Sequence, residues 1–381
     1  MKKKKDFGKL SLAMHKKHHG KIEIAGKVSV KNRDDLSIAY TPGVASVSSY
    51  LALHKKETRD YSIKRNTIAV ISDGSAVLGL GNIGPEGALP VMEGKALLFK
   101  TFANVDAFPI VLSTQDAEEI IRTVKNISIV FGGINLEDIS APRCFEIERR
   151  LKAELDIPVL HDDQHGTALV VLAGLINAAK VTARKLSASR VVVSGAGAAG
   201  TAVADLLYKY GVKDIIMLDS VGIVSAGRSG LSPDKRELLA FTNPDNISGG
   251  LTEAMVGADI FIGLSKPCLV TAEHVRSMSG KAIIFAMANP VPEIMPDIAR
   301  KAGAVVVATG RSDFPNQVNN ALGFPGIFRG ALDNGVRDIT DKMLIKAAEN
   351  LAGVIKKPTA DNIIPSPFDP KVVKAVAKSI R

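Results

Sequence analysis

Beyond about residue 60, short apolar, β-branched runs alternate with longer stretches whose apolar positions recur every three or four residues. "NTIAVIS" (66–72), "AFPIVLS" (107–113) and "ISIVFG" (127–132) read as buried strands. "GALPVMEGKALLFKTFA" (87–103), "TQDAEEIIRTVKN" (114–126) and "APRCFEIERRLKAEL" (141–155) read as helices, the last with Pro142 in its first turn. A second series of strands follows: "RVVVSG", "DIIMLD", "ADIFIGL", "AIIFAMA" and "AVVVATG", with helices between them. Apolar strands alternating with helices imply parallel sheets covered on both faces. The expected class is α/β with two domains. Residues 1–160 form an N-terminal α/β catalytic domain; residues 161–381 form a Rossmann-type, doubly wound parallel sheet. The boundary falls at "IPVLHDDQHG", and the helical C-terminal segment is expected to close the second domain.

The 381 residues supply two cores, and 46% hydrophobic with 23% charged residues is an ordinary globular composition. The longest apolar run, "TALVVLAGLINAA" (167–179), is too short to span a bilayer and reads as a buried helix. The basic start, "MKKKKDFGKLSLAMHKKHHG", has no apolar h-region, so the expectation is a cytoplasmic protein with no membrane partner. "HKKHH" (15–19) lacks an acidic or cysteine neighbour and reads as a solvated helix end rather than a metal site. Cys144 and Cys268 form no paired motif and read as free buried thiols. The net charge of +10 carries no nucleic-acid motif with it; attraction of a small anion accounts for it equally well.

Two stretches fit G-x-G-x-x-G: "GLGNIG" (79–84) and "GAGAAG" (195–200). The second has the context a dinucleotide needs. It joins a strand to a helix, and a second strand ends in Asp219, 19 positions after the last glycine. Gly195 allows the turn, Gly197 lets the backbone approach a pyrophosphate, and Gly200 lets helix and strand pack; Ala198 and Ala199 open the helix toward the phosphates. Asp219 can accept from the adenosine ribose, which favours NAD, while Ser220 and Arg228 leave room for NADP. The first fingerprint is followed by Pro85 and Pro90, which argue against a helix opening at its glycines. It reads as a structural turn ahead of Lys95.

"INLEDIS" offers Glu137 and Asp138, and "LHDDQHG" offers Asp162 and Asp163. Both follow predicted strands, where parallel α/β folds place their sites. Carboxylate oxygens suit Mg²⁺ or Mn²⁺. A lone Glu-Asp pair would more often be a cap or a solvated turn. Lys95 lies in an apolar helix; burial lowers a lysine pKa and makes a base of it. Tyr40, held in the turn of "SIAYTPGVA", reads by itself as a packing residue.

These strings, together with "GLGNIGPEGALPVMEGK", "FGGINLEDISAPRCFEIE", "HDDQHGTA" and "ATGRSDFPNQVNNALGFPGIFRGALD", resemble the malic enzymes, in particular the short-chain prokaryotic type. The resemblance runs in order along nearly the whole chain. It implies oxidative decarboxylation of L-malate to pyruvate and CO₂ with reduction of NAD(P), dependent on Mg²⁺ or Mn²⁺. It implies Tyr40 as general acid, Lys95 as general base and Asp162 as a carboxylate supporting that lysine. It further implies Glu137, Asp138 and Asp163 as metal ligands. Asn289 resembles an asparagine near nicotinamide and substrate, and Asn319 and Asn320 resemble those that hold the substrate carboxylate. Where the larger eukaryotic enzymes carry a substrate-binding arginine, this chain has Ala76, so the cation facing that carboxylate is open. The resemblance also implies a homodimer or higher homo-oligomer, with active-site residues that could be shared between subunits. A malolactic enzyme or oxaloacetate decarboxylase would use the same acid–base and metal set. A non-catalytic NAD-sensing module would need none of it.

Overall fold

The computed structural model describes residues 6–77 and 79–381; Met1–Lys5 of the basic start and Leu78 lie outside them. An N-terminal arm carries α1 (Phe7–His18), α2 (Arg33–Ala39), α3 (Val44–Leu53) and α4 (Thr58–Tyr61). None of the four helices buries a residue.

The first sheet has four parallel strands in the order β2-β1-β3-β4: β1 (Thr67–Ser72), β2 (Asp106–Val111), β3 (Gly133–Leu136) and β4 (Val159–His161). Its helices are α5 (Gly84–Ala103), α6 (Ala117–Ile127) and α7 (Arg143–Glu154). Two expectations fail here. "ISIVFG" is not a strand: Ser128–Val130 form a 3₁₀ turn, and the strand is the next segment, "GINL". Ile129 and Val130 are exposed, so their β-branched character is not matched by burial. And α5 does open at the last glycine of the first fingerprint, with Pro85 in the first turn, where no amide proton is needed; Pro90 sits inside the helix.

α8 (Asp162–Thr182) leads into the second sheet, five parallel strands in the order β6-β5-β7-β8-β9: β5 (Arg190–Ser194), β6 (Asp214–Leu218), β7 (Ile260–Gly263), β8 (Ile283–Ala286) and β9 (Val306–Thr309). Strand order reverses between β5 and β7, which is where doubly wound sheets bind ligands. α9 (Ala198–Tyr210) packs on α8, and the short helices α10 (Pro233–Leu238), α11 (Leu251–Met255), α12 (Ala272–Ser277) and α13 (Pro296–Lys301) complete the layers. α8 is long and apolar enough to cross a membrane by composition, yet most of it is buried within the protein. Every residue from Gly166 to Leu175 is buried.

The C-terminal helices are α14 (Phe324–Asn334), α15 (Asp341–Ala352) and α16 (Lys371–Ala377). α15 lies on α8 and α9, whereas α14 crosses back onto α5 and β3. These helices therefore do not close the second lobe alone. Phe324 and Phe328 pack against Phe99 at ring-centroid distances of 4.6 and 5.6 Å, so one apolar core runs through both lobes. Cys144 is buried; Cys268 is exposed, against the expectation that both thiols would be covered.

Candidate active site

A cavity of about 960 Å³ opens between the sheets, beyond the C-terminal ends of their strands. Lys95, Glu137 and Asp138 line it from the first lobe, and Asp163 from the start of α8; Gly197–Gly200, Asn289 and Asn319 line it from the second lobe.

β3 ends at Leu136, and the chain turns at once. Asp138 takes a left-handed backbone (φ 55°), a conformation that Asp and Asn adopt more readily than other non-glycine residues. Its carbonyl accepts from the Ala76 amide at 2.9 Å, and its amide donates to Asp163 Oδ2 at 2.8 Å. One carboxylate oxygen from each of Glu137, Asp138 and Asp163 lies within 4.8 Å of the others. Three hard oxygen donors this close, on side chains mostly shielded from water, fit a divalent cation.

Lys95 sits beside them. Its Nζ is 2.8 Å from Glu137 Oε1 and 2.5 Å from Asp162 Oδ2, and 4.1 Å from the centroid of the Phe324 ring. Asp162 is fully buried, and Asn320 Nδ2 donates to its Oδ2 at 3.1 Å. Burial pushes the Glu137 and Asp162 carboxyls above their ordinary range, against the pull of Lys95. Burial alone would lower Lys95, as expected from its apolar helix; Asp162 and Glu137 outweigh it and hold the ammonium above its ordinary value. The lowered-pKa expectation for Lys95 is thus reversed. Four carboxylates cluster here and only Glu137 and Asp162 pair with Lys95, so a divalent ion would relieve the crowding of shielded negative charge.

The nucleotide side fits its group equally well. A Cβ on Gly195 (φ 119°) would lie 2.5 Å from the Leu264 carbonyl oxygen, and one on Gly200 would lie 1.7 Å from the Gly195 carbonyl oxygen. Gly197 faces open space, and no side chain caps α9, so its first amides face the cavity. The other fingerprint is spent internally. The amides of Ile83 and Gly84 donate to Gly74, and a Cβ on Gly79 would meet the Asn289 carbonyl at 2.2 Å. Gly79 lets the two lobes approach.

Two expected residues are placed differently. Asp219 does not line the cavity. Its carboxylate already accepts from Arg228, from Lys235 Nζ at 2.7 Å and from the amides of Val221 and Gly222. Little acceptor capacity remains for a ribose. Tyr40 is 67% exposed on the arm and does not line the cavity of its own chain.

Ser11, Met14, His15 and Lys21 do line the mouth, which the reading of "HKKHH" as a solvated end missed. The signal was there: positions 11, 14 and 15 share one helix face. Lys21 Nζ bonds the Pro90 carbonyl and stands 3.5 Å from where a Cβ on Gly94 would lie, one residue before Lys95. Asn320 was expected on the substrate; its amide instead braces Asp162 and accepts from Thr167 Oγ1. Asn319 caps the following turn through Ala321.

Comparison with known proteins agrees with this architecture. Residues 19–152 match the family model "Malic enzyme, N-terminal domain", and residues 164–379 match "Malic enzyme, NAD binding domain". The chain is 55% identical to the bifunctional malic/malolactic enzyme of Bacillus subtilis, over 97% of this chain and 91% of that protein. It is also 55% identical to the NAD-dependent malic enzyme of Geobacillus stearothermophilus, over 95% of this chain and 76% of that one. The crystal structure of an NAD-dependent malic enzyme from Thermotoga maritima superposes with a TM-score of 0.94 at 50% identity, covering 97% of this chain and 98% of that one.

Proposed function

This chain belongs to the malic enzyme family, and from that premise we propose that it converts L-malate to pyruvate and CO₂ while reducing NAD or NADP, with its own residues in the following roles. Glu137, Asp138 and Asp163 hold the divalent ion. When bound, the ion supplies Lewis acidity to the substrate hydroxyl and, by neutralising its ligands, lowers the proton affinity of Lys95. The nicotinamide supplies the hydride acceptor, with the pyrophosphate on Gly195–Gly200.

Lys95 takes the C2 hydroxyl proton as hydride leaves C2. Asp162, fixed by Asn320, keeps the lysine aimed. The oxaloacetate so formed loses CO₂, and Tyr40 protonates C3 of enolpyruvate. Asn289 and Asn319 orient nicotinamide and substrate from the cavity wall. Lys21 faces the distal carboxylate in place of the missing arginine at Ala76. Tyr40 comes from a second copy of the chain. The arm that carries it exposes Ile24, Val28, Ile38 and Leu53 at more than half of their surface, an apolar face that a homodimer would cover. We take the two lobes to divide into residues 1–160 and 161–381. The unpaired thiols fit a cytoplasmic location.

The observation that carries the reading is Lys95, buried between Glu137 and Asp162 at the edge of the carboxylate triad. The test is malate-dependent reduction of NAD and of NADP, with and without Mn²⁺, for wild type and Lys95→Ala. Wild type should turn over only with the metal, and Lys95→Ala should lose about 10²–10⁴-fold in kcat while still binding NAD. Wild-type turnover in Lys95→Ala would overturn the assignment. The relative named malic/malolactic enzyme supports a second reading, in which NADH stays bound and lactate is the product. Lactate without free NADH would mark it.

A further inference from the structure

Glu148 is a buried acid to which the reaction above gives no part. It lies on α7, the helix that follows the Glu137–Asp138 loop, and is 5% exposed. Its carboxylate reaches across to the junction where β4 runs directly into the first turn of α8. Oε1 accepts from the His161 backbone amide at 2.9 Å. Oε2 accepts from Gln164 Nε2 at 3.1 Å and from His165 Nε2 at 3.0 Å. Burial pushes the carboxyl up, but His165 and then His161 outweigh it and hold it below its ordinary range.

All three donors belong to the five residues His161–His165, which include Asp162 and Asp163. On its other side the turn is tied by the Asp138 amide to Asp163 Oδ2, and His161 Nε2 stands 3.6 Å from the same oxygen. β4 is only three residues long, and no side chain at His161 caps the helix that follows, so the backbone ladder leaves the orientation of this junction to side-chain contacts. A charged acceptor with three donors on one turn fixes it far better than a neutral one would.

We propose that Glu148 is a positioning residue for the carboxylate triad: it clamps the His161–His165 turn and so sets where Asp163 stands relative to Glu137 and Asp138, and with it the affinity for the divalent ion. The inference rests on the metal site of the preceding section. Outer residues that orient ligands commonly carry about 10–100-fold in metal affinity. In Glu148→Gln an amide NH₂ would face one or more of the same donors, so the clamp is lost at nearly constant volume.

The experiment is Mn²⁺ binding by electron paramagnetic resonance to the purified full chain, with NAD binding by fluorescence titration alongside. Glu148→Gln should bind Mn²⁺ about 10–100-fold more weakly with unchanged NAD affinity, and excess Mn²⁺ should restore most of its malate turnover. His165→Asn, which removes one donor at the less buried end of the clamp, should shift Mn²⁺ affinity in the same direction by less. Wild-type Mn²⁺ affinity in either variant overturns the proposal, and so does joint loss of Mn²⁺ and NAD binding in Glu148→Gln, which would make Glu148 a general fold residue. If Glu148→Gln does not fold, His165→Asn decides alone. Failure of the wild-type chain to bind Mn²⁺ would instead sink the metal site itself.

Discussion

Asp219 shows how a residue expected at a ligand can be taken up by its own fold. Burial pushes its carboxyl up, but Arg228 and Lys235 outweigh that and hold it well below the ordinary carboxylate range. A depressed native pKa stabilises the fold above the unfolded value of about 3.9, and this stabilisation is lost as pH falls through and below that value. Asp219→Asn should therefore unfold at a lower temperature than wild type at pH 7, and the gap should close as pH drops below about 4. Melting curves between pH 3 and pH 7 measure it; a gap independent of pH would show that the ion pairs carry no such weight. Sequence position gave the acidic residue at the end of β6. It gave no hint that two cations, 9 and 16 residues further on, already occupy it.

At the scale of elements, the start of α8 decides the site. Asp162 folds back along its own helix, and a Cβ on Gly166 would fall 1.8 Å from Asp162 Oδ1. Gly166→Ala gains about 1 kcal/mol of helix propensity. An overlap that short cannot be absorbed without moving a carboxylate in a packed interior, so displacement wins. The variant should lose roughly 10²-fold in kcat, because Asp162 leaves Lys95, while NAD binding persists. Steady-state kinetics with an NAD titration would check it, and a wild-type kcat would show that Asp162 does not need this position. The motif "HDDQHG" displayed the glycine and both acids. Their contact was legible only in part, because position 166 lies on the same helix face as 162 whereas Lys95 does not lie on that helix at all. The failed strand at "ISIVFG" has the opposite cause: local propensity favoured a strand where the fold offers no partner.

For the whole molecule, the question is which copy supplies Tyr40. Mixing Lys95→Ala with Tyr40→Phe chains separates the alternatives. If Tyr40 acts across a dimer interface, each mixed dimer holds one site with both residues intact, and equal random mixing restores about a quarter of wild-type activity. If Tyr40 serves its own chain, every site lacks one residue and activity stays near zero. The readout is malate turnover after co-refolding or subunit exchange.

Period and spacing in the sequence determined the two parallel sheets, because apolar strands between helices have few other ways to cover both faces. Spacing likewise determined which fingerprint suits a nucleotide, since strand, glycines and helix adjoin along the chain. Tertiary structure alone decided the protonation balance of Lys95, whose partner Asp162 is 67 residues away. It alone also decided the saturation of Asp219, the return of α14 to the first lobe and the distance of Tyr40 from its own cavity. These depend on charges and surfaces that meet only through space, and no local pattern encodes the distance between them.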